Sequence, residues 1–321
     1  MRSRRQILID WIEQDRIAPG NLQSALSLSS VFPSKANWQR FLDQLLLWLG
    51  ALLLAAGVIF FFAYNWNDLG RFAKFALVEV PIIGALIVLW RIGLESISGK
   101  ITLLAASLFV GALLALVGQT YQTGADTFEL FAAWAVLILP WVLVGHLAAL
   151  WLVWIALLNL AAVFYYLVFG GLFGFIFAPD QLLWVLFALN TIALVIWELR
   201  AARDTPDRWA IRILATASGT AVTILAIYSV AEFRHAGALG LLAWAVYFAA
   251  VYVVYRILVV DVFVLAGGVL SVIAVVITWL ATNLLKSGDA AGAMLLIGLI
   301  VIGLSAAGGW WLKQVVNGAR S

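Results

Sequence analysis

The sequence predicts an all-α polytopic membrane protein, a transmembrane helical bundle of about ten spans. Three observations carry that prediction. The chain is 65% hydrophobic and only 11% charged, with a mean hydropathy of +1.07. Its apolar runs are long enough to cross a bilayer. Its Lys and Arg fall in the short connections between those runs. Soluble domains hold about 25% charged and 45–50% apolar residues, so a soluble fold of this size could not hide so much apolar surface.

Residues 1–43 form the one substantial polar segment, read as a small helical cytoplasmic extension. Leu8, Trp11, Ile12 and Ile17 sit at helical spacing. Pro19 can open a second short helix carrying Leu22 and Leu26. The segment lacks a basic recognition helix, so no nucleic-acid partner is expected. Arg2, Arg4 and Arg5 are followed by Asp10, Glu13 and Asp15 rather than an apolar stretch, which does not read as a signal peptide.

A spanning helix needs about 20 apolar residues. The transmembrane domain, 44–321, divides into spans near 45–64, 73–90, 101–119, 130–145, 147–169, 181–197, 210–231, 238–255, 262–282 and 291–312. The fourth is short and is expected to extend at both ends. The tight turn at Gly145-His146 separates spans four and five, and charge argues for it. With ten spans and both termini cytoplasmic, fifteen of the nineteen Lys and Arg lie inside. Merging spans four and five reverses everything downstream, and the bias disappears. The positive-inside rule therefore favours the turn.

Two outer connections differ from the rest. Residues 120–129 are polar without Lys or Arg, and 168–180 are rich in Gly and aromatic residues, a pattern that fits a re-entrant or interfacial element.

The first half carries a recognisable pattern. Gly50, Gly57, Phe61, Phe62 and then Asn65-Trp66 close the first span, and Lys74 opens the second. Gly118-Gln119-Thr120-Tyr121-Gln122-Thr123-Gly124, Asp126, Phe131, Trp134 and Pro140 follow the third. Over about residues 1–145 this resembles the bacterial membrane proteins of domain-of-unknown-function family 2157. The resemblance implies a bacterial inner-membrane location and brings no activity with it.

Candidate chemistry is sparse. Glu79 lies inside span two, followed by Pro81. An acid at the bilayer centre costs about 2.5–3.5 kcal/mol on insertion scales. It is therefore expected to face the bundle interior, to pair, or to stay protonated through desolvation, a structural hydrogen bond or a reach toward the outer interface being the plainer alternative. Its sharp reading is an ion-coupling site. Asn159 and Asn190 fall near the centres of antiparallel neighbours, at similar depth, where the amides can bond across the interface or line a midplane substrate site. Asn65, Gln119, Tyr121, Gln122 and Asp126 form a candidate outer-face cluster suited to a small polar ligand or a protein partner. Asp261 is read with Arg256 as a local ion pair or solvated cap, and Arg200, Arg203, Arg208 and Arg212 as a basic loop explained by topology. Small residues in span seven (Ala215 to Ala221) and the last span (Gly298, Gly303, Ala307, Gly308) suit helix packing or a homo-oligomer.

No cysteine is present, which removes disulfides and thiolate metal sites. His146 and His235 stand apart, so no metal or other cofactor is expected. The favoured reading is a non-enzymatic envelope protein that works in the lipid bilayer through a membrane or periplasmic partner. The alternative is a secondary transporter with a five-plus-five helix plan.

Overall fold

The computed structural model describes residues 66–169, 179–204, 208–231, 238–284 and 290–318, with isolated positions between Trp11 and Tyr64. It divides into two units, Met1–Lys74 and Phe75–Ser321. Asn65, His235 and most of the first-span prediction at 45–64 and of the 1–43 and 168–180 segments fall outside the described residues. Within the first unit, Pro19–Asn21 forms a single 3-10 turn, and the Lys74 ammonium lies 5.0 Å from the centre of the Trp66 ring.

Nine helices long and apolar enough to span a membrane follow among the described residues. They are α1 (Arg71–Ile92), α2 (Ile97–Tyr121), α3 (Thr127–Gly145), α4 (Ala148–Phe169), α5 (Pro179–Asp204), α6 (Trp209–Ala231), α7 (Leu239–Tyr252, which reaches spanning length only with its continuation to Leu258), α8 (Val262–Leu284) and α9 (Ala290–Gly318). They match predicted spans two to ten. Span four extends at its N-terminal end alone. Helix is the form such sequences must take, because lipid offers the backbone no hydrogen-bond partner.

The helix ends show why the breaks fall where they do. Gly93, at φ +78°, stops α1. Ser96 then starts α2 by accepting from the Gly99 N–H at 3.0 Å. Gln122 and His146, each at φ 44°, end α2 and α3 in the left-handed conformation. The turn at Gly145-His146 is thus a true break, with α4 beginning at Ala148. A short π-helical segment, Val253–Leu258, extends α7.

Two buried cores hold the second unit together. The first joins α2, α3 and α4 through Leu103, Ala135, Ile138, Val142, Leu150 and Leu157. The second gathers α5 to α9 around α6, whose Ile211, Leu214 and Val222 are fully enclosed. Helix α4 reaches both, contributing Ile155 to the second. Close approach depends on glycine at a few points. A Cβ at Gly111 of α2 would land on the Trp134 indole of α3, which donates to the Ser107 carbonyl at 2.8 Å.

Candidate functional site

The most concentrated chemistry lies where α5 ends, α6 begins and the π-helical segment leads into α8. Asp261 precedes α8 and is 2% exposed. A carboxylate buried to that degree requires paired, hydrogen-bonded neighbours. Its Oδ2 accepts from Arg208 Nε at 3.2 Å and Arg212 Nε at 3.1 Å, and Oδ1 accepts from the Phe263 N–H at 3.1 Å. Arg208 also donates through Nη2 to Glu198 Oε1 at 2.6 Å. Two acids and two bases from three elements balance one another. Burial, the largest influence on Arg208, pulls its pKa down, but Glu198 and then Asp261 raise it above the ordinary value. Among the described residues Glu198 Oε2 is enclosed without a hydrogen-bond partner.

This corrects the sequence reading of Asp261. Arg256, five residues away, makes no bond to it among the described residues. Arg208 and Arg212 are not merely solvated loop charges. The π-helical segment contributes to the geometry: Tyr255 is buried beneath Arg208, 5.7 Å from guanidinium carbon to ring centre, and its carbonyl accepts from the Asp261 N–H at 3.1 Å.

Asn159 and Asn190 meet as their matched depth suggested. Asn190 Nδ2 donates to Asn159 Oδ1 at 2.7 Å, and Asn159 Nδ2 to Asn190 Oδ1 at 3.3 Å. Each amide also donates to its own helix, to the Leu186 and Ile155 carbonyls at 2.8 Å. The pair is mutually satisfied and ties α4 to α5.

A set of hydroxyls escaped sequence reasoning. Thr191 and Ser218 share a hydrogen bond of 2.5 Å between α5 and α6. Thr223 and Ser271 share one of 2.6 Å between α6 and α8, and Trp244 of α7 donates to Ser271 at 2.8 Å. Their position near the span centres was the available signal. Beside them, α6, α7 and α8 enclose a cleft of about 420 Å³ lined mainly by apolar groups.

The outer-face candidates are brought together in part. Tyr121 ends α2, is 62% exposed and lies beside Phe75, with ring centres 6.1 Å apart. Gln122 forms the left-handed stop of α2. Asp126 precedes α3 and donates its N–H to Glu129 Oε2 at 3.2 Å. Gln119, Tyr121, Gln122 and Asp126 are all exposed. Glu79 is exposed on α1 and makes no hydrogen bond or ion pair among the described residues. The interior placement expected of it is not observed. Neither Glu79 nor the two Asn residues line the α6–α8 cleft.

Apolar spanning helices, left-handed breaks between them and a polar core knitted by amides and hydroxyls define a multi-pass α-helical membrane protein. Residues 9–151 match the family model described as "Predicted membrane protein (DUF2157)", the family that the Asn65-Trp66 and Gly118-to-Gly124 patterns resemble. No curated protein and no solved structure matches the chain.

Proposed function

We propose that the chain is a non-enzymatic component of the bacterial inner membrane, with both termini cytoplasmic, that acts by holding a membrane or periplasmic partner against the turn between α2 and α3. The observation that supports this reading is the state of that turn. Every residue from Tyr121 to Thr127 is exposed, yet its two ends are fixed by the left-handed Gln122 and by the Asp126–Glu129 contact. A rigid polar turn loses little conformational entropy on binding. It bears no cation, so its Tyr, Gln and Asp groups offer hydrogen bonds to a peptide or amide surface. The test is in-cell cross-linking from a photoreactive residue at Tyr121 and, separately, at Asp126. A discrete adduct at both sites, absent when the probe sits at Leu137 on the apolar surface of α3, supports the reading. Adducts at Leu137 alone overturn it.

Transport is the second reading, and the cleft between α6, α7 and α8 is what favours it. The amide pair weighs against it, because two groups that satisfy each other have little capacity left to bind substrate. Ion or metabolite flux in liposomes that falls in Glu79→Gln would make transport the better account.

A further inference from the structure

The cleft between α6, α7 and α8 opens on the lateral surface of the bundle. Thr216, Thr220, Gly267 and Leu270 border it and are exposed, so entry is from the side, out of the bilayer. Its width comes from glycine. A Cβ at Gly268 would stand 3.4 Å from the Phe248 ring, and one at Gly219 3.8 Å from it, while Gly267 has nothing within 4 Å. Among the described residues the wall hydroxyls are engaged except that of Thr220. Thr216 donates to the Arg212 carbonyl at 2.8 Å, and Thr223 to the Gly219 carbonyl at 2.6 Å. The surface left to an occupant is therefore apolar apart from the Thr220 hydroxyl. From Thr216 to Ile224 the α6 wall rises roughly 12 Å at the α-helical rise per residue. One leaflet of hydrocarbon is about 15 Å deep, half the usual core thickness.

A cation stands at one end of this cleft. Arg212 lies one turn before Thr216, and its guanidinium carbon is 5.8 Å from the centre of the Phe263 ring. Thr216 and Phe263 both line the cleft. Arg212 spends only Nε on Asp261, and its Nη1 and Nη2 carry no hydrogen bond among the described residues. Within the ionic cluster the Arg212 side chain is 46% exposed and that of Asp261 is 0% exposed. The field at the mouth is therefore that of the guanidinium, although the cluster is neutral as a whole. A half-exposed guanidinium in the first turn of a spanning helix sits at headgroup depth, where anionic lipid is attracted to it.

We propose that this cleft is an anionic-phospholipid site, with one acyl chain lying along α6 and α8 and the lipid phosphate held by the terminal nitrogens of Arg212. Planar guanidinium suits phosphate because its paired N–H groups match two oxygens. A purely apolar occupant would leave Arg212 unused.

The test uses the full chain in neutral detergent, titrated by native mass spectrometry with dioleoyl phosphatidylglycerol and, separately, dioleoyl phosphatidylcholine. Phosphatidylglycerol is expected to bind roughly tenfold more tightly, because the trimethylammonium of phosphatidylcholine offsets the charge of its phosphate and repels Arg212. Arg212→Gln is expected to erase that preference. Gly267→Leu fills the cleft, leaves the ionic cluster untouched and is expected to weaken both lipids. Its melting temperature without lipid shows that the bundle is intact. Equal binding of the two lipids by the unaltered chain overturns the proposal, as does undiminished binding by Gly267→Leu. A lipid-free dimer that Gly267→Leu dissociates would give the cleft to a second copy and also overturns it.

Discussion

Asp261 takes its partners from 53 and 49 residues earlier in the chain, and that separation explains why local inspection pairs it with Arg256. Charge placement fixes which end of the bundle a residue occupies, but several basic residues share that end, and only packing chooses among them. Asn159 and Asn190 were legible because span parity sets their depth and their helices are consecutive. For Asp261 the choice between partners is measurable. Asp261→Asn removes the one acid that both arginines share and leaves Glu198 alone against two positive charges. Breaking a buried pair costs about 3–5 kcal/mol. The half-exposed Arg212 brings the expected loss to about 3 kcal/mol, since water screens part of it. Arg256→Gln should stay within about 0.5 kcal/mol of the parent chain, the range of substitutions away from special contacts. Thermal melting of both variants in one detergent decides it: equal losses would return Asp261 to Arg256.

At the scale of the helix, membrane sequence tells existence better than facing. Apolar runs and charged connections located α1 to α9, and the break before α4 followed from counting cations. Which side of each helix turns inward was hidden, because lipid and protein interior both accept Leu, Val and Phe. Glu79 illustrates this: α1 carries no polar stripe, so nothing in its sequence said where the acid would point. Glycine is ambiguous in the same way, and the structure separates its two uses. A Cβ at Gly240 of α7 would land on Ser229 Oγ and come within 2.8 Å of the Leu225 carbonyl oxygen of α6. That oxygen belongs to the backbone, so the helices themselves must part. Gly240→Ala is expected to destabilise by about 1–3 kcal/mol, as overpacking does. Gly267→Ala meets nothing and should be neutral or stabilising by up to about 1 kcal/mol, from the better helix propensity of Ala. Paired melting curves check the sign as well as the size.

Across the whole membrane domain, the side-chain contacts gather one set of connections at a single end. Arg200 lies over Trp151 near the start of α4, and Trp151 in turn touches Trp197 near the end of α5. Glu198, Arg208, Arg212 and Asp261 meet beside them. The opposite end collects Phe128 at the start of α3 against Tyr165 and Phe169 at the end of α4. This is the alternation that the count of cations requires, and it makes orientation a question with one sign to determine. The chain has no cysteine, so single-cysteine variants report without background. Thr123→Cys and Asn283→Cys are exposed positions on connections assigned to the periplasm, and Glu95→Cys is an exposed position assigned to the cytoplasm. A membrane-impermeant maleimide should label the first two in intact cells and the third only after lysis. Reversal of all three would place the N-terminus outside and turn the Tyr121 surface toward the cytoplasm, away from any periplasmic partner. Reversal at Asn283 alone would mean that the number of crossings between Thr123 and Asn283 is odd. The positive-inside bias then fails for the second half, because α3 to α8 supply six crossings only if every one of them spans.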